Sequence, residues 1–430
     1  VFDRPVDHPP IWKLPLPSIS SQTLSCGMPL IIEHIPGVRS AALCWLIPIG
    51  CAHDPADKLG MASMLAELVL RGAGSRDSRQ AADALDALGL VRSVDVGPVY
   101  LRISATMIAD QLPAALPLLA DIVLRPRFDA EHIEPTRELQ LQALAGLKDN
   151  PQERAGVLLS RLHNPAPFNR SSLGTEEGLR AISRDVVISH WQRNVRPVGS
   201  ILSIAGDVHA DTVAAQLNTL LASWSGSAPV ISAAPNPAAG SHHHEHDESN
   251  QTHIFLAHNA PAEPDPRSIL EKITAAVLSG GSSSRLFTEV REKRGLCYAV
   301  SAMYGADKLF GRLIAYVGTT PERAQQSLDV LMSELRRVNS PDTGAVTQEE
   351  FDHAIIGYRS RLVFSGESTG ARAVQLAMDQ HRLGRPRSLD ELKRQVESIT
   401  LNDVNAYLRS RTLGTTTLVT LGPKPLTFPA

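Results

Sequence analysis

The chain repeats itself, and this constrains its fold more than any other feature. In the first half an apolar run, Ala41–Ile47, leads to Asp54–Pro55, a helical pattern over Gly60–Leu70, and Gly72–Ala73–Gly74. In the second half Ile254–Ala257 leads to Asp265–Pro266, 211 positions after the first Asp-Pro pair, then a helical pattern over Ile269–Leu278 and Gly280–Gly281. The far ends correspond too. Ser183–Arg184–Asp185–Val186 opens a helix that is followed by a strand, Ile201–Ala205, and Gly206–Asp207. Thr400–Leu401–Asn402–Asp403–Val404 opens another, followed by Thr417–Leu421 and Gly422–Pro423. Four features in the same order at nearly constant spacing predict two copies of one structural unit.

Between the copies, Ser225–Gly240 is rich in Ala, Pro, Gly and Ser, and a polar stretch runs on through Asn250. With few apolar positions, 229–249 reads as an exposed linker between domains 15–228 and 250–425. Within the first domain, Gly27–Met28–Pro29 and Gly97–Pro98–Val99 each separate two short apolar runs, a hairpin pattern. Asp110 to Leu124 and Glu131 to Leu147 read as amphipathic helices, with a kink expected at Pro117. Strands joined by tight turns, with helices gathered afterwards, predict an α+β fold. Each duplicated domain is expected to be a mostly antiparallel sheet packed against a layer of helices.

Composition supports this and removes several function classes. At 430 residues, 43% hydrophobic and 20% charged, the chain can build two sizeable cores. A net charge of -3 argues against a dedicated nucleic-acid binder. The best apolar run stops at Pro48, short of the ~20 residues of a membrane helix. Cys26, Cys44, Cys51 and Cys297 are scattered with no C-x-x-C pair, so buried thiols are expected. A Cys44–Cys51 bond fits only an exported chain.

Specific stretches resemble the pitrilysin/insulinase family of zinc metallopeptidases, which includes the mitochondrial processing peptidase and the core subunits of the respiratory bc1 complex. They are Gly60–Leu68, Asp149–Asn150–Pro151, Leu173–Gly174–Thr175–Glu176–Glu177, Ala205–Gly206–Asp207–Val208 and, most specific, Ser284 to Tyr298. The resemblance implies a two-domain half of a clamshell. It also implies an H-x-x-E-H motif on the first long helix, two His binding zinc and the Glu activating its water, with a third ligand, a Glu, on a later helix. This sequence departs from that pattern. Ser63, Ala66 and Glu67 stand where His, Glu and His belong, and Gln142 and Ala143 where the later Glu belongs. Glu67 and Glu138 without imidazole would at best hold a hard ion weakly. No metal is expected in this chain. A literal H-x-x-E-H does occur at His242–His246, but in the polar stretch, with no apolar face to seat a helix.

The resemblance implies a role for two further residues. In active relatives an Arg and a Tyr seven positions apart reach the zinc site of the other half, and here they are Arg291 and Tyr298. A Tyr hydroxyl donates to the oxyanion forming at a scissile carbonyl, and an Arg fork fixes peptide carbonyls. Loss of one half-site beside retention of the other is the pattern of a zinc-less subunit. Its expected partners are a zinc-bearing paralogous peptidase subunit and a peptide or unfolded protein substrate. A structural core subunit and a non-catalytic peptide-binding module are the alternatives. A start at Val1 rather than Met reads as a trimmed form and points to the periplasm, with the cytoplasm as alternative.

Overall fold

The computed structural model describes residues 17–429, so Val1 and the expected domain start at 15 lie outside the described residues. Two compact units result. Unit 1 comprises 17–142, Ser172–Ile231 and Ser365–Ser388; unit 2 comprises Ala143–Ser171, Ser232–Phe364 and 389–429. The boundaries expected from the duplication are therefore crossed twice.

Unit 1 is built on a six-stranded sheet of β1 (Ser18–Thr23), β2 (Pro29–His34), β3 (Ser40–Ile47), β4 (Val91–Val96), β5 (Leu101–Ile108) and β6 (Ile201–Gly206), in the order β1-β2-β6-β3-β5-β4. Unit 2 carries β7 (His242–His246), β8 (Thr252–Ala260), β9 (Cys297–Ala306), β10 (Gly311–Thr319) and β11 (Thr416–Gly422), ordered β7-β11-β8-β10-β9. Remove β1 and the two orders are the same. One pair in each sheet is parallel, β2 with β6 and β7 with β11, and the rest are antiparallel. The fold is α+β, with two sheets of mixed strands and helices against them.

The crossings arise because each sheet receives one helix from the opposite half of the sequence. Helix Thr369–Leu383 packs Ala373, Leu376 and Ala377 against Ile31, Ala42 and Leu46 of the first sheet. Helix Pro151–His163 packs Ala155, Leu158 and Leu159 against Ala257, Val419 and Leu421 of the second. Each is capped by a side chain, Ser368 accepting from the Ala371 amide and Asn150 from the Glu153 amide. Four residues past each cap stands an arginine. Arg372 donates to both carboxylate oxygens of Glu33 on β2, at 2.7 and 3.1 Å. Arg154 lies 3.0 Å from the carboxylate of Glu245 on β7.

The registers make the correspondence residue by residue. Glu33 and His34 face Ala205 and Gly206, and Glu245 and His246 face Leu421 and Gly422. A Cβ on Gly206 would sit 2.5 Å from the Ser40 carbonyl oxygen, and one on Gly422 2.6 Å from the Thr252 hydroxyl, so glycine is needed where each last strand meets the start of its neighbour. His242–His246 is thus the second copy of Leu30–His34. The stretch expected to be wholly solvated contains this edge strand, because the duplicated ladder to β11 and the Arg154 clamp hold it. On a strand, His242 and His246 lie about 13 Å apart, so the literal H-x-x-E-H cannot chelate as a helical one does.

All four cysteines are free thiols, so the Cys44–Cys51 bond is not made. Burial pushes the Cys44 thiol up to about 12. Helix Leu112–Leu124 runs through Pro117. No helix among the described residues is long and apolar enough to cross a membrane.

Candidate functional site

In unit 1 the helix Met61–Leu68 is held at its start by Asp54. One carboxylate oxygen accepts from the Gly60 amide at 2.8 Å and the other from the Ala62 amide at 3.0 Å. This buried anion at a helix N-terminus explains the Asp54–Pro55 signal in the sequence. The second copy differs. Asp265 accepts from the Arg267 amide and is paired with the Arg267 guanidinium at 2.6 Å, which holds its carboxyl below the usual range.

Met61, Met64, Leu65 and Leu68 are buried, which leaves Ser63, Ala66 and Glu67 on the half-buried face. The Ser63 hydroxyl donates to the Gly60 carbonyl at 2.9 Å, and Glu67 lies 3.9 Å from Arg71 one turn on. On helix Ala130–Gly146, Glu138, Gln142 and Ala143 are exposed. This set lacks imidazole and thiolate altogether, and Ala66 has no group to take a proton from water. It does not fit the family's zinc. Among the described residues no group of three or more His, Cys, Asp or Glu is placed to hold a metal ion.

The Ser284–Tyr298 stretch in unit 2 is anchored from within. Arg285 donates to both oxygens of Glu350, at 2.8 and 2.6 Å, and to the Gly344 carbonyl at 2.7 Å. The chain then forms a π-helical turn, Phe287–Glu292, a geometry often found at functional sites. Of the charges that follow, Lys293 and Arg294 both pair with Glu289, at 2.8 and 2.7 Å. Arg291 is different. It has no ion pair among the described residues and rests over the Phe287 ring at 4.9 Å. Burial pushes the Cys297 thiol up to about 11, against the opposing pull of the Arg291 charge. Arg291 is therefore close, electrostatically, to the residue beside Tyr298.

Tyr298, 43% exposed, sits near the start of β9. Its hydroxyl donates to the Gln251 side-chain oxygen at 2.6 Å. A Cβ on Gly318 would meet the hydroxyls of both Tyr298 and Tyr316, at 2.6 and 2.5 Å, so this glycine makes room for the two rings. The Tyr316 hydroxyl in turn lies 3.0 Å from Nδ1 of the buried His253. Burial raises the Tyr298 hydroxyl above its usual range while contact with Tyr316 opposes the rise, so it stays protonated and able to donate. Gln251, His253 and Tyr316 were not singled out in the sequence. The alternation of β10 shows that Tyr316 has a face, but only the register of β8, β9 and β10 brings the four side chains together.

Comparison with known proteins places the chain in a family. The family model described as Insulinase (Peptidase family M16) matches residues 30–176, and that described as Peptidase M16 inactive domain matches 181–358. An uncharacterized zinc protease of Mycobacterium tuberculosis is 29% identical over 417 residues, covering 94% of this chain and 93% of that protein. One from Bacillus subtilis is 24% identical, covering 91% and 95%. A crystal structure titled as the peptidase M16 inactive domain from Pseudomonas fluorescens superposes with a TM-score of 0.84 at 21% identity, covering 96% of this chain and 99% of that one. A chain of complex III2 from Candida albicans superposes at 0.80 and 15% identity, covering 94% and 96%. Those two likenesses speak to the fold. The two family models follow one another along the chain and together span most of it, and the chain belongs to the M16 (insulinase/pitrilysin) peptidase family.

Proposed function

We propose that this chain is the zinc-less subunit of a two-chain metalloendopeptidase, completing the active site of a zinc-bearing paralogue with Arg291 and Tyr298. The observation that carries the reading is the contrast within one chain. The helix Met61–Leu68 has no ligand set, while Arg291 is unpaired among the described residues and Tyr298 is exposed with its hydroxyl able to donate. In the mixed complex the Tyr298 hydroxyl exchanges Gln251 for the oxyanion that forms at the scissile carbonyl. Arg291 leaves the Phe287 ring to hold a carbonyl of the bound peptide.

Coexpression with a zinc-bearing paralogue, followed by steady-state kinetics, tests this. Tyr298→Phe leaves assembly intact and lowers turnover by about 10²–10³-fold, or ~2.7–4 kcal/mol, as loss of one oxyanion donor does. The effect falls on turnover rather than on apparent affinity. Arg291→Ala weakens both. Unchanged turnover for Tyr298→Phe would favour the second reading, a structural or peptide-binding subunit. That reading draws on the similarity to a chain of the Candida albicans complex.

A further inference from the structure

Tyr298 owes its direction to an irregularity of β9. Gly318 on β10 is paired with Ala299 and the next residue, Thr319, with Cys297, so Tyr298 is the extra residue of a β-bulge. A bulge re-aims a side chain out of the regular alternation. Here it lays the Tyr298 ring over Gly318, where a Cβ would stand 2.7 Å from the ring carbon that bears the hydroxyl. Tyr316 lies two positions before Gly318 on the same face of β10. Its ring rests against two side chains of β8 on that face, Phe255 at 4.6 Å between ring centroids and His253 at 6.1 Å with the rings tilted by only 14°. Tyr316 and His253 are 5% and 4% exposed, against 43% for Tyr298. The three polar groups therefore form a line from the interior to the surface.

Each phenol carries a single proton, and this gives the line a direction. Tyr298 donates its own to Oε1 of Gln251. The hydrogen bond between the two phenols therefore uses the proton of Tyr316, and that bond raises Tyr316 and lowers Tyr298, as it does for a donor and its acceptor. With the Tyr316 proton spent, the 3.0 Å contact to His253 must be donated by Nδ1. Burial lowers His253 below its usual range, with Asp247 opposing and Arg154 adding to the fall. The imidazole is thus neutral, and its one proton sits on Nδ1.

We propose that Tyr316 and His253 are positioning residues for Tyr298, and that the donor chain from His253 through Tyr316 fixes the exposed hydroxyl with its proton directed away from the interior. The inference deepens the peptidase reading and rests on it for the consequence in turnover. No proton passes along the chain. Tyr316 occupies the lone pair of Tyr298 that faces the protein, which leaves the hydroxyl one direction in which to donate. Hydrogen bonds in series also polarise one another, so the outgoing O–H is the stronger donor. An oxyanion that displaces Gln251 then meets a donor already aimed at it, with no reorganisation left to make.

Two measurements test this, one on the full chain alone and one on the mixed complex. With 3-fluorotyrosine installed at position 298 only, the fluorine resonance reports ionisation of that phenol. Tyr316→Phe keeps the packed ring but removes the donor to the phenolate, so the midpoint rises. His253→Leu raises it too, whereas His253→Asn, which keeps an N–H near the place of Nδ1, leaves it close to the unaltered value. In the mixed complex Tyr316→Phe lowers turnover about 2–10-fold, the worth of one ordinary hydrogen bond, with apparent affinity unchanged. In a Tyr298→Phe background the same substitution lowers turnover no further, because no phenol is left to position. An equal loss in both backgrounds is the mark of a merely structural role and overturns the inference, as does a midpoint that ignores Tyr316→Phe. Turnover that falls in Tyr298→Phe but not in Tyr316→Phe overturns the inference and leaves the peptidase reading standing. A midpoint that rises while Tyr298→Phe keeps full turnover sinks the peptidase reading and upholds the donor chain.

Discussion

The two sheets share their strand order and their arginine clamp, yet the clamps live in different surroundings. Arg372 and Glu33 are 1% and 3% exposed, on a strand covered on both edges; Arg154 and Glu245 are 19% and 37% exposed, on an outermost strand. One geometry serves two energetic purposes. In unit 1 the pair sits in a low-dielectric core, and neither charge can be left without the other. In unit 2 water shares the solvation, so the same pair positions the strand without holding much stability. The histidines follow from this difference. A covered strand requires Leu30, Ile31 and Ile32, whereas its outermost copy tolerates His242, His243 and His244.

The largest expected effect breaks the comparison at its buried end. Arg372→Met strands the Glu33 carboxylate and lowers stability by about 3–5 kcal/mol. Adding Glu33→Leu recovers much of this, because an apolar pair of similar volume needs no desolvation. Urea unfolding of the two variants and the double variant measures the coupling. A loss for Arg372→Met no greater than that for Arg154→Met would show that burial does not set the strength of the clamp.

Acid should sharpen the contrast next. Burial lowers His163 and His258 in unit 2, and His190 in unit 1, each to about 4. Below pH 6.5 the unfolded chain protonates these groups while the folded chain holds them neutral. Their destabilisation is absent above pH 6.5, grows as pH falls, and is complete near pH 4, at about 3 kcal/mol for each. Unit 2 carries two of these histidines, so β8 should lose hydrogen-exchange protection before β3 between pH 6.5 and 4. Equal loss in both strands would sever the link between buried histidine and local stability.

Much of this was legible in the sequence, and what was not has a common cause. The duplication and the hairpins are local patterns, readable from spacing, and the Ser284–Tyr298 stretch was marked by its resemblance to the family; the Asp54 cap emerges only from its contacts to the Gly60 and Ala62 amides. The helix exchange is not local. Arg372 meets Glu33 across 339 positions, and neither neighbourhood hints at the other. β7 was hidden because histidine is a poor strand signal and the segment follows a Pro- and Ala-rich run. The candidate site divides the same way. Arg291 and Tyr298 were found by motif, but Gln251 donates nothing to a motif and is recognised only once it accepts from Tyr298.

The exposed end of the comparison gives a smaller effect. Arg154→Met should cost about 1 kcal/mol or less, since both partners keep access to water. Its signature lies elsewhere, in faster exchange at His243 and Glu245, whose amides face β11. A loss of several kcal/mol would mean that the second clamp is as strong as the first.

The smallest effect concerns Glu67, which stands where the family resemblance implies a zinc ligand. In this chain it is a half-buried residue on a helix, 3.9 Å from Arg71 at i+4, with both side chains more than 40% exposed. Such pairs contribute ~0.3–0.5 kcal/mol, and Glu67→Gln should lower stability by no more than that, with the loss vanishing at high salt as screening removes the pair. A remnant ligand would behave otherwise. Zinc would then raise the melting temperature of the unaltered chain through linkage, and Glu67→Gln would abolish the rise at any salt concentration. Melting curves with and without zinc, for the unaltered chain and for Glu67→Gln, separate the two cases. The carboxylate at 67 is expected to register salt and ignore the metal, because one oxygen ligand beside Ser63 and Ala66 cannot replace two imidazoles.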